Sequence, residues 1–273
     1  MESIVDISFL QLALFSSTLL IPIFINFHYQ LDLGKDIFLS IARMVIQLIA
    51  IGIYLEYLFS INSLAINLIW IAIMIVIGSL SIIGKAKLPT RFLFKPVSSG
   101  LLLGLSPILI LLCFVFIQPK PVYNAQYLIP LAGMLLGNSL SGNIIALQNL
   151  FTAYEDRRSE YEAALSLGAS PTYASMPFLR EAIQKSFAPI LASMATTGLV
   201  TLPGMMTGQI LGGIAPMTAI KYQLMIMIAI FVMMSISVTL SLRLSLNSAI
   251  SSEGRILINR IDASKTKSAR NKK

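Results

Sequence analysis

Long runs of apolar residues alternate with short polar gaps along almost the whole chain. A helix needs roughly 20 mostly apolar residues to cross the hydrocarbon core of a bilayer. Seven runs meet this length approximately, although Gly198, Pro203 and Gly204 interrupt the sixth. The pattern predicts an all-α polytopic membrane protein with about seven transmembrane helices, at residues 7–27, 37–57, 64–84, 97–117, 127–150, 187–204 and 217–242.

Lysine and arginine residues are divided unevenly between the two sets of alternate gaps. One set, together with the C-terminal tail, contains sixteen of them, whereas the opposite set contains only Lys120. Cytoplasmic loops of membrane proteins carry the excess of Lys and Arg. The bias therefore predicts an N-terminus outside the cell and a cytosolic C-terminus. We expect one membrane domain over residues 1–248 and a basic cytosolic tail over residues 249–273.

Composition narrows the class of protein further. Hydrophobic residues make up 56% of the chain and charged residues only 12%, about half the charged share of a soluble domain. The formal charge of +8 does not indicate a nucleic-acid partner, because the basic residues lie in gaps between apolar runs rather than on one face with interleaved aromatics. The single cysteine, Cys113, excludes a disulfide framework. We expect a multi-pass protein in the lipid bilayer of the cell membrane.

Few charged side chains fall inside the predicted spans. Arg43 and Gln47 lie four residues apart in the second span, so they share one helix face. A charge at membrane depth costs about 2.5–3.5 kcal/mol and usually faces a partner or a wet cavity. The pair is therefore consistent with either a structural role or a translocation path. Glu56 and Lys221 lie near helix ends, where they are better explained as interfacial anchors.

Small and polar residues concentrate in the fifth span and around the end of the sixth. Glycines spaced by four residues allow close helix packing, which is the plainer explanation. Uncharged polar groups in the fifth span would also suit the lining of a polar path. A Leu-Pro-Gly sequence interrupts a helix, which membrane proteins tolerate where it is buried or lines a cavity. With the second-span pair, these residues predict a path lined by Arg43, Gln47, Asn138, Ser139, Asn143, Pro203, Gly204, Met205 and Met206.

The sequence leaves metal ligation open. Methionines near the sixth and seventh spans offer thioether ligands, but methionine also fills gaps in apolar helices. With one histidine, His28, and no paired carboxylates in the predicted spans, no tight metal cage is evident. We therefore assign no metal ligands from the sequence.

The gap between the fifth and sixth predicted spans is unusually long, at residues 153–186. Its first half has helix-forming composition, and Gly168 is typical of a helix end. Ser170 followed by Pro171 predicts the cap and first residue of a second helix, which Pro177 ends or kinks. We expect two short cytosolic helices that meet at a sharp angle and form a compact projection.

Residues Glu162-Ala-Ala-Leu-Ser-Leu-Gly168-Ala-Ser-Pro171 resemble the EAA loop of ABC-transporter permease subunits. Further blocks resemble one family of such permeases, that of the bacterial iron-export permease FetB, which also contains the plant aluminium-tolerance half-transporter. The resemblance extends over about residues 31–243, and its Leu-Pro-Gly-Met-Met block is highly specific. The blocks are residues 43–48, 129–134 with 137–138, 165–171, 198–206 and 219–223.

This resemblance implies a permease that pairs with a separate cytosolic ABC ATPase subunit, which would bind ATP and Mg²⁺. It also implies export of iron or a related metal ion, with a nucleotide sugar as the alternative cargo. We expect a permease homodimer that encloses the path, and no cofactor in this chain itself. The residues that the EAA resemblance assigns to ATPase coupling are Glu162, Ala163, Gly168, Ser170 and Pro171.

The chain contains no G-x-x-x-x-G-K-[ST] sequence, so it is not expected to split ATP itself. We predict a non-catalytic subunit of a transport complex. Two alternatives stay open, a secondary carrier driven by an ion gradient and a non-transporting membrane scaffold for a cytosolic enzyme. Co-purification with an ATPase, and loss of transport when that ATPase is disabled, would separate these readings.

Overall fold

The computed structural model describes residues 7–251, 254, 255 and 257. Within these residues the chain is almost entirely helical, as the apolar pattern predicts. A 3₁₀ turn joins the first two helices, and a π-helix at Leu112–Ile117 extends the fifth. The α-helices are α1 (Phe9–Ser16), α2 (Leu20–His28), α3 (Gly34–Ile61), α4 (Leu64–Ala86), α5 (Thr90–Leu111), α6 (Ala125–Asp156), α7 (Arg158–Ser166), α8 (Pro171–Thr196), α9 (Gly204–Leu211) and α10 (Pro216–Ala249).

Six helical segments in the described part of the chain are long and apolar enough to cross a membrane. They correspond to six of the seven predicted spans, and the chain is a multi-pass membrane protein. The orientation of its ends stays a prediction, and most of the predicted basic tail lies outside the described residues. The six segments are Phe9–His28, Gly34–Ile61, Leu64–Ala86, Thr90–Ile117, Ala125–Asp156 and Pro216–Ala249.

The predicted sixth span, residues 187–204, does not form a separate apolar helix. Its first part is the C-terminal portion of the longer helix α8. The preceding portion of α8 carries Arg180, Glu181 and Lys185, so α8 is not among the helices that are apolar enough to qualify. Beyond α8 the chain turns tightly at Gly198, whose φ is +90°. The prediction therefore placed one helix boundary in the middle of a continuous helix.

Helices α4, α5, α6, α8 and α10 form the bundle, and α5 packs most extensively against α10. Two glycines make this close approach possible. A Cβ atom on Gly100 would lie 2.9 Å from the Ser237 carbonyl oxygen, and one on Gly104 would lie 3.0 Å from the Met233 carbonyl oxygen. Small residues at such crossings let helix backbones come together and gain dispersion energy. The α5–α10 pair is thus the most closely fitted part of the bundle.

Polar side chains inside the bundle bond to one another across helices. Asn143 Nδ2 on α6 donates to Ser237 Oγ on α10 at 3.0 Å. Ser98 Oγ on α5 donates to Ser79 Oγ on α4 at 3.1 Å. Interhelical hydrogen bonds of this kind stabilise helix association in lipid. They tie α6 to α10 and α5 to α4.

The N-terminal helices stand largely apart from this bundle. Among the described residues, none before Leu58 is buried. Leu58 clusters with Ala125 and Ile129 at the start of α6, and the Tyr54 and Trp70 rings lie 4.5 Å apart between centroids. Helix α3 is therefore attached near its C-terminal end, and most of its length is exposed.

Candidate functional site

The projection predicted between the fifth and sixth spans consists of α7 and the start of α8, and we call residues 157–173 the coupling elbow. Helix α7 ends as the sequence predicts. The Gly168 N–H donates to the Leu165 carbonyl at 2.9 Å, and the Ala169 N–H donates to the Ala164 carbonyl at 3.1 Å. These two bonds form a Schellman motif, with Gly168 at a φ of +91°. The prediction of a helix end at Gly168 is confirmed.

Helix α8 starts where the sequence predicts and continues much further. Ser170 Oγ accepts a hydrogen bond from the Tyr173 N–H at 3.3 Å, and Pro171 occupies the first turn. The prediction that Pro177 ends or kinks a short helix is wrong about its length, because α8 runs through Pro177 to Thr196. A proline removes one helical hydrogen bond, but buried residues on both sides of it, among them Ala174, Phe178 and Ala182, keep α8 on the bundle.

An aromatic cluster holds the elbow against the bundle. Tyr154 at the end of α6 lies edge-to-face with Tyr161 of α7, with ring centroids 5.3 Å apart. Tyr154 also stacks on Phe178 of α8 at 4.9 Å, and the Arg157 guanidinium lies 4.7 Å from the centre of the Phe178 ring. Aromatic and cation–π pairs add specific geometry to the burial of apolar area. The cluster fixes α7 relative to both α6 and α8.

Ion pairs reinforce the same junction. Arg157, between α6 and α7, pairs with Glu181 of α8. Lys185 Nζ, on the same helix as Glu181, lies 2.7 Å from Glu181 Oε1. The hydrogen bond from Lys185, together with the charge of Arg157, holds the pKa of the Glu181 carboxyl below its usual value. On the outer side, Arg158 Nε donates to Glu162 Oε1 at 2.7 Å within α7. Glu162, the acid of the EAA-like sequence, is thus paired locally and remains exposed.

The chain returns to the elbow after α10. Tyr161 Oη donates to the Gly254 carbonyl at 3.0 Å, and burial raises the pKa of this phenol. A Cβ atom on Gly254 would lie 2.8 Å from Leu165 Cδ1, which shows how closely the backbone approaches α7. The described part of the C-terminal segment therefore lies against the inner side of the elbow.

The outer side of the elbow is open. Four of the five predicted coupling residues, Glu162, Ala163, Gly168 and Ser170, are exposed, and Pro171 is half-buried. Two large side chains that sequence reasoning missed accompany them, Leu167 at 90% and Tyr173 at 74% exposure. The position of Leu167 directly before the helix-ending Gly168 was the feature of the sequence from which its exposure could have been predicted. The elbow thus offers both polar and apolar contacts.

A cleft of about 1050 Å³ adjoins the elbow, between the start of α8 and the end of α10. Ser170 and Pro171 line it on one side, and Arg243 and Asn247 line it on the other. The cleft extends the exposed surface of the elbow towards α10.

A second, smaller groove lies between α6, α8 and α10, and α6 and α10 are both long and apolar enough to span a membrane. Its volume is about 200 Å³, and its polar lining consists of Asn138 and Ser141 from α6 with Ser186 and Ser193 from α8. The sequence predicted Asn138 for the path. It did not predict Ser186 and Ser193, because α8 was divided there between a cytosolic loop and a separate span. These residues offer amide and hydroxyl groups without charge.

The other predicted path residues lie in three different places. Ser139 and Asn143 are fully buried, with Asn143 bonded to Ser237 inside the bundle. Arg43 and Gln47 are exposed on α3. The Leu-Pro-Gly-Met-Met block leads into α9, which begins at Gly204 with Pro203 as its cap; Pro203, Met205 and Met206 are half-buried and Gly204 is exposed. A single copy of the chain therefore does not bring the predicted path residues together.

The comparisons with known proteins agree with a membrane-embedded permease. The family described as "Uncharacterised protein family (UPF0014)" matches residues 9–250. The probable iron export permease protein FetB of Escherichia coli is 32% identical over 79% of this chain and 82% of its own. The UPF0014 membrane protein slr1647 of Synechocystis is 35% identical over 72% of this chain and 76% of its own.

A plant relative extends the range of similar proteins. The protein ALUMINUM SENSITIVE 3 of Arabidopsis thaliana is 29% identical over 76% of this chain and 75% of its own. No solved structure matches the chain.

Proposed function

We propose, from the premise that this chain belongs to the UPF0014 family of membrane proteins, that it is the permease subunit of an ABC transporter. A separate cytosolic ATPase subunit would bind ATP and Mg²⁺ and supply the energy. The cargo would be iron or a related metal ion moved outwards, since one relative is named a probable iron export permease. Two copies of this chain would enclose the path.

The coupling elbow is the observation that carries this proposal. Its inner side is fixed by Tyr154, Tyr161 and Phe178, whereas its outer side leaves the EAA-like residues exposed. A surface that is rigid and exposed suits docking, because few side chains must be ordered when a partner binds. The elbow therefore combines an EAA-like sequence with a surface that is suited to docking.

Helix α8 supplies a mechanical connection between docking and transport. It begins in the elbow at Pro171, and its Ser186 and Ser193 line the polar groove. Closely packed helices move as rigid elements with discrete arrangements. A displacement of the elbow by the ATPase would therefore shift one wall of the groove and could change which side of the membrane it opens to.

The ATPase requirement is tested by purifying the tagged chain from membranes and identifying any bound ATP-binding subunit. Leu167→Ser should remove that subunit, because it replaces an almost fully exposed apolar contact on the elbow. Leu211→Ser is the matched control, since Leu211 is also exposed and ends a helix elsewhere in the chain. Equal retention of the subunit by both variants would contradict docking at the elbow.

The cargo is tested by reconstituting both subunits in liposomes and comparing ATP-driven movement of Fe²⁺, other divalent ions and nucleotide sugars. We expect Fe²⁺ movement that stops when the ATPase is disabled. Movement of a nucleotide sugar without any metal would overturn the cargo, and movement that persists without the ATPase would indicate a gradient-driven carrier. A stable complex that moves none of these solutes would favour the scaffold reading.

A further inference from the structure

We infer that α3 of one copy of this chain covers the polar groove of a second copy, so that Arg43 and Gln47 face Ser141 and Asn138 across the dimer interface. The inference rests on the proposed permease dimer and adds which surfaces meet. It begins from the exposed polar side chains that a single copy leaves at membrane depth.

Helix α3 carries a narrow polar stripe along one side. At 100° per residue, Asp36, Ser40, Arg43 and Gln47 fall within one narrow sector, which continues into Tyr54 where α3 meets the bundle. Arg43 and Gln47 are exposed, and the Arg43 side chain makes no hydrogen bond or ion pair within the described residues. An arginine at this depth usually faces a protein partner or water rather than lipid.

The bundle of the same copy does not offer its groove to this stripe. Helix α3 joins α6 on the side of Ala125 and Ile129. Asn138 and Ser141 lie about 140–160° away from Ala125 around α6, at 100° per residue. The body of α6 therefore separates the groove from the α3 helix of its own chain.

The two surfaces match in depth when measured from the predicted outer side. Asn62 and Ala125 lie level there, since Asn62 Oδ1 accepts from the Ala125 N–H at 2.9 Å. At 1.5 Å per residue, Gln47 lies about 22 Å from this level along α3, and Asn138 lies about 20 Å from it along α6. Arg43 and Ser141 lie about 28 Å and 24 Å from it in the same way.

The predicted inner side leads to the same pairing. Gln148 Nε2 donates to the Lys85 carbonyl at 3.0 Å, which marks the level of one basic gap, and Lys35 marks another. Arg43 lies about 12 Å from Lys35, and Ser141 lies about 10 Å from Gln148. A two-fold axis along the membrane normal keeps every residue at its own depth, so a second copy presents these residues at matching heights.

The chemistry of the two surfaces is complementary as well. The guanidinium of Arg43 has only donors, whereas the Asn138 side-chain carbonyl and the Ser141 hydroxyl can both accept. Asn138 donates only to the Met134 carbonyl of its own helix, so its oxygen is free to accept within the described residues. The dimer would then bring Arg43 and Gln47 beside Asn138, the predicted path residue of α6 that is exposed in the groove.

The interface is tested by disulfide cross-linking in native membranes, with the full chain in a Cys113→Ala background. Two differently tagged copies are co-expressed, one carrying Gln47→Cys and the other carrying Asn138→Cys. The expected result is a cross-linked product that contains both tags. Val45→Cys replaces Gln47→Cys in the matched control, because Val45 is exposed on the opposite side of α3, and here the two-tag product should be lost.

Absence of the two-tag product with Gln47→Cys, or equal product with Val45→Cys, would overturn the inference. Its failure is distinct from failure of the proposed function, which is measured by ATPase co-purification and ATP-driven transport. Cross-linking without any ATPase partner would support the interface and contradict the proposed ATP-driven transporter. An ATPase complex without the cross-link would support the proposed transporter and contradict the interface.

Discussion

At the scale of single residues, two glycines are constrained by opposite physical causes. Gly168 has open space around it, but its φ of +91° is one that L-residues rarely adopt. Gly100 has an ordinary helical backbone, but α10 leaves no room for a side chain beside it. The first glycine is required by conformation and the second by volume, so their substitutions should fail in different ways.

Gly168→Ala should destabilise the elbow by about 1 kcal/mol, because a Cβ atom disfavours positive φ. Gly168→Asn should cost less, since asparagine tolerates left-handed backbone. Gly137→Ala is the control, because a Cβ atom there meets nothing within 4 Å and the backbone is helical. Thermal unfolding in detergent measures stability, and ATP hydrolysis by the bound partner measures coupling. Equal behaviour of Gly168→Ala and Gly137→Ala would refute this explanation.

Gly100→Ala should destabilise the bundle by about 1–3 kcal/mol, as overpacking typically does. The new methyl group would lie 2.9 Å from the Ser237 carbonyl oxygen, and backbone cannot move aside as a side chain can. Gly52→Ala on α3 meets nothing within 4 Å and is the matched control. Thermal unfolding of both variants in the same detergent decides the matter, and a neutral Gly100→Ala would show that α5 and α10 are not tightly fitted.

At the scale of elements, α7 depends on contacts made by its neighbours. Few of its own residues are buried, and Tyr161 is the one that reaches the core. The helix is held by the Tyr161 ring, by its hydrogen bond to Gly254 and by the ion pairs around Glu181. Each of these contacts can be removed separately.

Tyr161→Phe keeps the ring and removes the hydrogen bond to Gly254. Loss of such a bond costs about 0.5–1.5 kcal/mol, so the C-terminal segment should detach more often from α7. Tryptic cleavage after Arg255 should become faster, and Tyr173→Phe is the control because its side chain is 74% exposed. Unchanged cleavage in Tyr161→Phe would show that apolar packing alone holds the segment.

The lowered pKa of Glu181 gives the elbow a pH dependence. A carboxyl whose folded-state pKa is depressed stabilises the fold above its usual pKa of 4.5 and loses that contribution as the pH falls through the depressed value. The wild type should therefore lose more stability than Glu181→Gln between pH 4.5 and lower values. The difference should be small, because solvent screens a partly exposed pair. Melting temperatures are measured at several pH values, and an equal fall in the two proteins would contradict this prediction.

At the scale of the whole molecule, the features predictable from the sequence are those set by neighbouring residues. Long apolar runs predict spanning helices because the bilayer demands backbone bonds within one segment. The end of α7 at Gly168 and the cap of α8 at Ser170 follow from local backbone chemistry in the same way. The EAA-like motif is also a feature of neighbouring residues, so it can be recognised in the sequence. Its exposure follows from the positions of α7 and α8.

The features that the sequence did not predict depend on contacts between distant residues. Pro177 does not end α8, because buried side chains on both sides outweigh one lost hydrogen bond. The groove joins Asn138 to Ser193, and the return of the chain joins Tyr161 to Gly254. Asn143 was predicted to line the path because it is a polar residue inside a predicted span. Its hydrogen bond to Ser237 depends on where α10 packs, which the sequence does not show.

The N-terminal helices lie largely apart from the bundle, and this has a consequence for how the protein is made. Synthesis at about 5–20 residues per second means that α3 leaves the ribosome roughly 10–40 s before α10 is complete. During that interval the surface that we infer for Arg43 has to come from a chain that was completed earlier, because the groove lies between α6, α8 and α10 and the growing chain has not yet completed it. Pairing through α3 would therefore join a growing chain to an older one, and the order of the helices along the chain sets that sequence of events.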